Sequence, residues 1–178
     1  MAGCPVKVNV PRIAMRYLAA QPIVVVSPDS HLIDEVTGRY RWTLDRVQAA
    51  WATSMAELET QLASGKISKV VLMVGIPASG KTTWVANNGE PGVLYFDATF
   101  KDERARAPVI NMARRYGVPV EATVMATPIQ EAIRRNNTRT EDRKIPEDVI
   151  IRQYRDLTGG GLPTRSEGIR YIKWVYPK

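Results

Sequence analysis

Eight consecutive residues carry the clearest chemistry in this chain: Gly75, Ile76, Pro77, Ala78, Ser79, Gly80, Lys81 and Thr82. They match G-x-x-x-x-G-K-[ST] in full, and each part has a physical reason. The glycines let the backbone curl so that its N–H groups face inward onto an anion. A helix beginning at Lys81 and Thr82, with Thr83 in its first turn, aims its positive end at the same point. Lys81 then reaches the β- and γ-phosphates of a nucleotide, and the Thr82 hydroxyl ligates Mg²⁺. ATP or GTP with Mg²⁺ is the cofactor this pattern predicts.

Two aspartates follow short β-branched or aromatic runs. Ile23 to Val26 leads to Asp29, and Val93 to Phe96 leads to Asp97. In an open parallel sheet, ligands bind beyond the carboxyl ends of the strands. Either carboxylate could hold Mg²⁺ through water or take a proton from an attacking hydroxyl. The plainer alternative is that each caps the next turn. His31, the one histidine, stands two residues from Asp29 and is a candidate for lining a substrate pocket, with a solvated loop position as the alternative. Downstream, Arg134, Arg135, Arg139, Arg143 and Lys144 crowd one stretch. A planar guanidinium fork binds phosphate oxygens bidentately. A helix carrying Arg134 and Arg135, then a polar loop, then Ile145-Pro146, fits a lid that closes over phosphates.

The elements that must position these residues alternate in type. Residues 12–20 predict a helix with Ile13, Tyr17 and Leu18 on one side, and Pro22 introduces the strand Ile23 to Val26. Thr43 is a cap for a long helix to about Ser64, with Leu44, Val47, Trp51, Met55, Leu58 and Leu62 on its apolar face and Gly65 as its stop. Val70 to Val74, Gly92 to Phe96 and Val120 to Met125 read as buried strands. Helices are predicted over about 102–116, from a Thr127 cap with Pro128 as the first helical residue to about Asn137, and from Pro146 to about Leu157. Gly159-Gly160-Gly161 breaks the chain, and Ile169 to Tyr176 predicts a last strand. The alternation predicts an α/β fold with a mostly parallel sheet covered on both faces.

Composition sets outer bounds. The 178 residues suit one domain, with 44% hydrophobic and 24% charged residues. No apolar run is long enough to span a bilayer, so no membrane partner is expected. Cys4 is the lone cysteine, which excludes an internal disulfide and a cysteine-built zinc site and points to a reducing cytoplasm. The formal charge of +7 favours polyanionic partners, nucleic acid among them. Oligomeric state is not legible.

From Asp97 onward the sequence resembles the kinase domain of phage polynucleotide kinase. Asp97-Ala98-Thr99 to Arg104 is similar to that family's strand-end D-T-N and N-P-E-R helix start. Arg134-Arg135-Asn136 with Arg139 is similar to its lid, K-R-N-x-x-R, and Ile145 to Ile150 with Tyr154 to the helix after it. The family's strand bearing a general-base aspartate should follow the phosphate-loop helix, but only Trp84 to Pro91 intervenes here. Its counterpart stands at the N-terminus: Arg16 to Pro22, Ile23 to Val26, then Ser27-Pro28-Asp29 in place of N-R-D, with Tyr40-Arg41-Trp42-Thr43 and the long helix after it.

The resemblance therefore implies a circularly permuted P-loop kinase, a three-layer P-loop NTPase sandwich with an arginine-rich helical lid. Within one domain over 1–178, it divides into a base strand and substrate helix (16–64), the phosphate loop and its helix (66–90), the Asp97 unit (92–126), the lid (127–157) and an extension (162–178). It implies Asp29 as the base, Lys81 and the loop amides on phosphates, Arg135 and Arg139 on the transferring group, and Asp97, His31 and Arg41 on the acceptor side. The acceptor it implies is the 5′-hydroxyl of DNA or RNA, and it implies a phage origin in a host cytoplasm. Two positions depart from the family: its substrate-phosphate arginine falls on Leu32, and its D-T-N asparagine falls on Phe100 or is missing. A hydroxyl on a modified base, a nucleoside or another small molecule is thus a second reading, and a nucleotide-switched ATPase or binding module a third.

Overall fold

The structure is a computed structural model that describes residues 22–177. The helix expected at 12–20 and the Arg16 to Gln21 part of the resemblance lie outside the described residues. Five parallel strands form one sheet: β1 (Val24–Val26), β2 (Lys69–Val74), β3 (Val93–Asp97), β4 (Val120–Met125) and β5 (Ile169–Val175). Their spatial order is β1-β3-β2-β4-β5, every neighbouring pair being parallel. The β2 strand, which feeds the phosphate loop, is therefore central, and β1 is an edge strand beside β3.

Strand alternation sorts the core. Val70, Leu72, Val74, Leu94, Phe96, Val120, Ala122 and Val124 face one layer of helices. That layer comprises α1 (Leu44–Ala63), α3 (Glu103–Arg115), α4 (Ile129–Asn137) and α5 (Glu147–Asp156). Val71, Met73, Tyr95 and Met125 face the other side, where α2 (Lys81–Asn88) packs through Val85. This is the α/β architecture of a P-loop NTPase, with a parallel sheet between helices.

The long helix α1 follows its cap and stop signals, but its expected apolar face is corrected: Leu44, at the solvent-facing start, is 67% exposed, and Ala50 and Ser54 take inner positions. The Thr43 side chain accepts the Arg46 N–H, and Gly65 stops the helix in a left-handed conformation with φ of 66°. Its inner stripe of Ala50, Ser54, Leu58 and Leu62 is buried, and Trp51 stacks on Phe96 with ring centroids 5.7 Å apart. Burying each leucine contributes about 1.5–3 kcal/mol. The α4 start corrects one expectation. Pro128 is the N-cap rather than the first helical residue, and Thr127 does not cap. Its hydroxyl instead donates to the Ser79 carbonyl of the phosphate loop at 2.8 Å.

The extension past the glycines is built into the core. Arg106 on α3 is 1% exposed. It donates through Nε and Nη2 to both Glu167 carboxylate oxygens, and through Nη1 to the carbonyls of Phe100 and Gly161. Such a buried cation is tolerable only because nearly every N–H finds an acceptor. Glu167 is itself the last residue of a capping box opened by Thr164. The pair thus locks the entry to β5. Among the described residues, no helix is long and apolar enough to cross a membrane.

Candidate functional site

The loop after β2 has the shape its sequence demands. Gly75 has no room for a side chain, because a Cβ there would lie 2.7 Å from the Ser79 Oγ and 3.0 Å from the Met125 Cβ. Gly80, at φ of 95°, turns the chain into α2 as its N-cap. Between them Ala78 is held at φ of 60°, a conformation that costs a non-glycine residue energy and persists only where surroundings enforce it. Those surroundings come from two strand ends and from α4. The Thr99 carbonyl accepts the Gly75 N–H, Thr127 binds the Ser79 carbonyl, and the Arg135 guanidinium approaches that same carbonyl at 3.4 Å. Ser79 Oγ is buried without a hydrogen-bond partner, an orphaned donor inside the loop.

Lys81 and Thr82 lead out of the loop. The Lys81 Nζ donates to the carbonyls of Gly75 and Ile76 at 2.9 and 3.2 Å, which holds the ammonium over the loop mouth. Burial lowers its pKa, and the nearby Asp97 and Asp29 carboxylates oppose that shift. The Thr82 hydroxyl donates to Asp97 Oδ2 at 2.7 Å. Asp97 is thus neither helix cap nor solvated: it is buried at the end of β3, while Asp102 caps α3 by accepting the Ala105 N–H. A hydroxyl and a buried carboxylate side by side at the end of a phosphate loop suit Mg²⁺, and Thr82 and Asp97 are the residues that would hold it. Among the described residues, no cluster of three His, Cys, Asp or Glu side chains offers a separate metal site.

Asp29 reaches this point from the other end of the sequence. It lies in a 3₁₀ turn (Pro28–Leu32) just past β1. The Ser27 hydroxyl ties that strand end to the Asp97 carbonyl at 2.9 Å. Asp29 is exposed as a residue, yet its carboxylate is partly desolvated by the groups around it. That desolvation raises its pKa above the ordinary aspartate value, with Asp97 adding to the rise and Lys81, a Tyr40 hydrogen bond and Arg139 opposing it. Asp29, Asp97, Lys81 and Arg139 are therefore within electrostatic reach of one another.

Tyr40 was not foreseen from the sequence. Its hydroxyl donates to Asp29 Oδ1 at 3.3 Å, and its backbone N–H donates to Asp142 Oδ2 at 3.0 Å. Asp142 sits in a short 3₁₀ turn (Glu141–Arg143) of the arginine-rich segment. One residue therefore joins the Asp29 carboxylate to the segment after α4. No local pattern marks Tyr40 for this, because both partners are far away in sequence or set by the 3₁₀ turn.

The arginines divide. Arg135 is shared between Glu131, at 2.6 Å, and the phosphate loop. Arg134 points outward to the same Glu131, whose carboxyl the two guanidiniums push down to about 2. Arg139 is exposed and influences both Asp29 and Lys81. Arg143 lies near Tyr40, and Lys144 pairs with Glu141. Two acceptor-side expectations fall elsewhere. His31 turns to Glu57 on α1, its Nε2 3.3 Å from Oε1, and Arg41 lies 3.5 Å from Asp34 with an exposed side chain. Leu32 is 2% exposed and packed in the core, so no cation stands at that position.

Fold and site together define a P-loop nucleotide-dependent protein of the kinase and ATPase class. A family model described as an AAA domain matches residues 87–159, the part from the end of α2 through the arginine-rich segment to the glycine turn. Neither the phosphate loop nor Asp29 falls within that match. No curated protein matches the sequence. Among solved structures, the native crystal structure of the AvrRxo1-ORF1:-ORF2 complex aligns over 88% of this chain at 12% identity, with a TM-score of 0.43. This chain spans 63% of the length of that matched chain.

Proposed function

We propose that the protein transfers the γ-phosphate of ATP, or GTP, to a hydroxyl, with the 5′-hydroxyl of DNA or RNA as the acceptor. The observation that carries this reading is Asp29. A carboxylate from an N-terminal strand, with a raised pKa, stands at the phosphate-loop end of the sheet within reach of Lys81 and Arg139. A nucleotide switch has no need of such a base.

The residues divide the work. The loop amides and Lys81 hold the β- and γ-phosphates. Thr82 and Asp97 would hold Mg²⁺, which neutralises phosphate charge when bound. Asp29 accepts the proton of the attacking hydroxyl as its oxygen forms a bond to γ-phosphorus. The bond from γ-phosphorus to the bridging oxygen breaks, and the nucleoside diphosphate leaves with that electron pair. Arg139, within electrostatic reach of Asp29, and Arg135, next to Ser79 and Gly80, stabilise charge on the moving group.

The strand order supports a permuted chain. β1 comes first in sequence yet lies beside β3, its end tied to Asp97. On this reading the base-bearing unit has moved to the front and is joined to β2 through the exposed turn at Gly65 and Lys66. The buried Leu32 favours a second acceptor class, a hydroxyl on a modified base, a nucleoside or a small molecule, because it removes one phosphate anchor.

The test is transfer of labelled γ-phosphate from Mg·ATP to a 5′-hydroxyl oligonucleotide, with the 5′-phosphorylated strand as control and Asp29→Asn beside wild type. Label on the hydroxyl strand alone, lost in the variant, is the expected result. Undiminished transfer by Asp29→Asn would remove both the base and the permutation argument.

A further inference from the structure

The surface next to Asp29 has a chemistry of its own. After the 3₁₀ turn the chain doubles back through an antiparallel bridge, Ile33 to Tyr40, and enters α1 at the Thr43 cap. Tyr40 is anchored on Asp29. Two residues on, Trp42 is 65% exposed, and Leu44, opening α1, is 67% exposed. Solvating an indole that widely, two residues from the tyrosine that binds Asp29, leaves a large apolar face open to solvent.

The charges around that face are mostly positive and uncommitted. Neither Arg39 nor Arg46 has a carboxylate partner among the described residues, and the Arg46 Nε is buried with no acceptor. Arg143 approaches Tyr40 from the lid side. Of the nearby acids, Asp34 is occupied by Thr37 and Arg41, and Asp142 by the Tyr40 N–H. Glu35 and Asp45 remain solvent-exposed. A small metabolite is normally enclosed in a concave, mostly apolar pocket. An open aromatic face flanked by guanidiniums instead matches an extended polyanion with unpaired bases, since every base can stack and every linkage carries a phosphate.

We infer that Trp42, with Arg39, Arg46 and Arg143, forms a track for the unpaired 5′ end of a single-stranded nucleic acid, the terminal base stacking on the indole and the guanidiniums taking the phosphates that follow. The track does locally what a cation at Leu32 cannot. The inference rests on the proposed phosphotransfer for its direction, since it leads the terminal hydroxyl to Asp29, but it is tested by binding.

The experiment is fluorescence anisotropy of a 3′-labelled 5′-hydroxyl single strand and of the same sequence as a blunt duplex, titrated with the full chain. Wild type, Trp42→Ala, Trp42→Phe, Arg39→Gln and Arg143→Gln are compared, with Mg·ATP binding as the check on folding. The expected results are preference for the single strand, a five- to hundredfold loss in Trp42→Ala, substantial recovery in Trp42→Phe, and a salt slope reduced by about 1 in each arginine variant. Equal affinity for single strand and duplex, or unchanged affinity in Trp42→Ala with ATP binding intact, overturns the track. A wild type that binds no strand at all overturns it too, and points to a protein or small-molecule acceptor. Strand binding through Trp42 without label transfer leaves the track standing and overturns the phosphotransfer reading instead.

Discussion

The two sides of this site are built in opposite ways. On the phosphate-loop side, the loop is fixed by contacts from two strand ends, Thr99 and Thr127, and by the Lys81 ammonium on the loop's own carbonyls. On the Asp29 side, the carboxylate is held by one hydroxyl at 3.3 Å, and past it stand an exposed tryptophan and, in Arg39 and Arg46, arginines with no carboxylate partner among the described residues. Phosphates are the same in every nucleotide, so their cradle can be finished in advance. On the proposed acceptor side, the groups are presented and a ligand would complete them. The arginine-rich segment after α4, tied to Asp29 through Asp142 and Tyr40, fits that division.

Substitutions can break or sharpen this contrast. Lys81→Ala should have the largest effect, lowering turnover by about 10²–10³ and weakening nucleotide binding as well. Calorimetric titration of ATP checks it, and unchanged affinity would refute the loop assignment. Asp29→Asn should lower turnover by about 10²–10⁴ while ATP affinity stays within twofold, the signature of a residue on the other side. For the wild type, activity should fall as pH drops through the Asp29 pKa, because the base must be ionised. Burial places that limb above the ordinary aspartate value of 3.8.

Smaller effects refine the picture. Thr127→Val removes a buried hydrogen bond to Ser79 worth about 0.5–1.5 kcal/mol, so nucleotide affinity should fall about two- to tenfold. Turnover at saturating ATP should hardly change. Tyr40→Phe should cost less than about tenfold in turnover. It should also move the acid limb to higher pH, since the lost hydrogen bond favoured the Asp29 carboxylate. A kcat/KM profile identical to wild type would reduce Tyr40 to packing.

The features carried by local pattern were readable. The phosphate loop, the strands, the α1 stripe from Leu58 to Leu62 and the Gly65 stop rest on spacings within a few residues. That Asp29 stands at the ligand end of the sheet was readable from its place after a β-branched run, while its reach to Lys81 was not. What escaped depended on distant partners. Thr127 has the form of a helix cap, yet its hydroxyl serves a carbonyl that no spacing rule connects to it. Tyr40 reads as an ordinary aromatic, and Arg106 as one more charge in a basic helix, until Asp142 and Glu167 are brought to them. His31 drew attention by rarity alone, and rarity does not decide which way a side chain turns.

The Arg106–Glu167 lock bears on where this chain can be cut. Trimming after Gly161 would strip the guanidinium of its carboxylate, expose β4 along the edge that β5 covers, and leave a cation in the core at a cost of about 3–5 kcal/mol. At Gly65 a Cβ would meet nothing within 4 Å and the turn is exposed, so a nick or a new terminus there disturbs no packing. Limited proteolysis should therefore spare the stretch around Thr164 to Gly168 and favour the turn before β2. An engineer shortening the protein would find its last strand less dispensable than the link between its two functional halves.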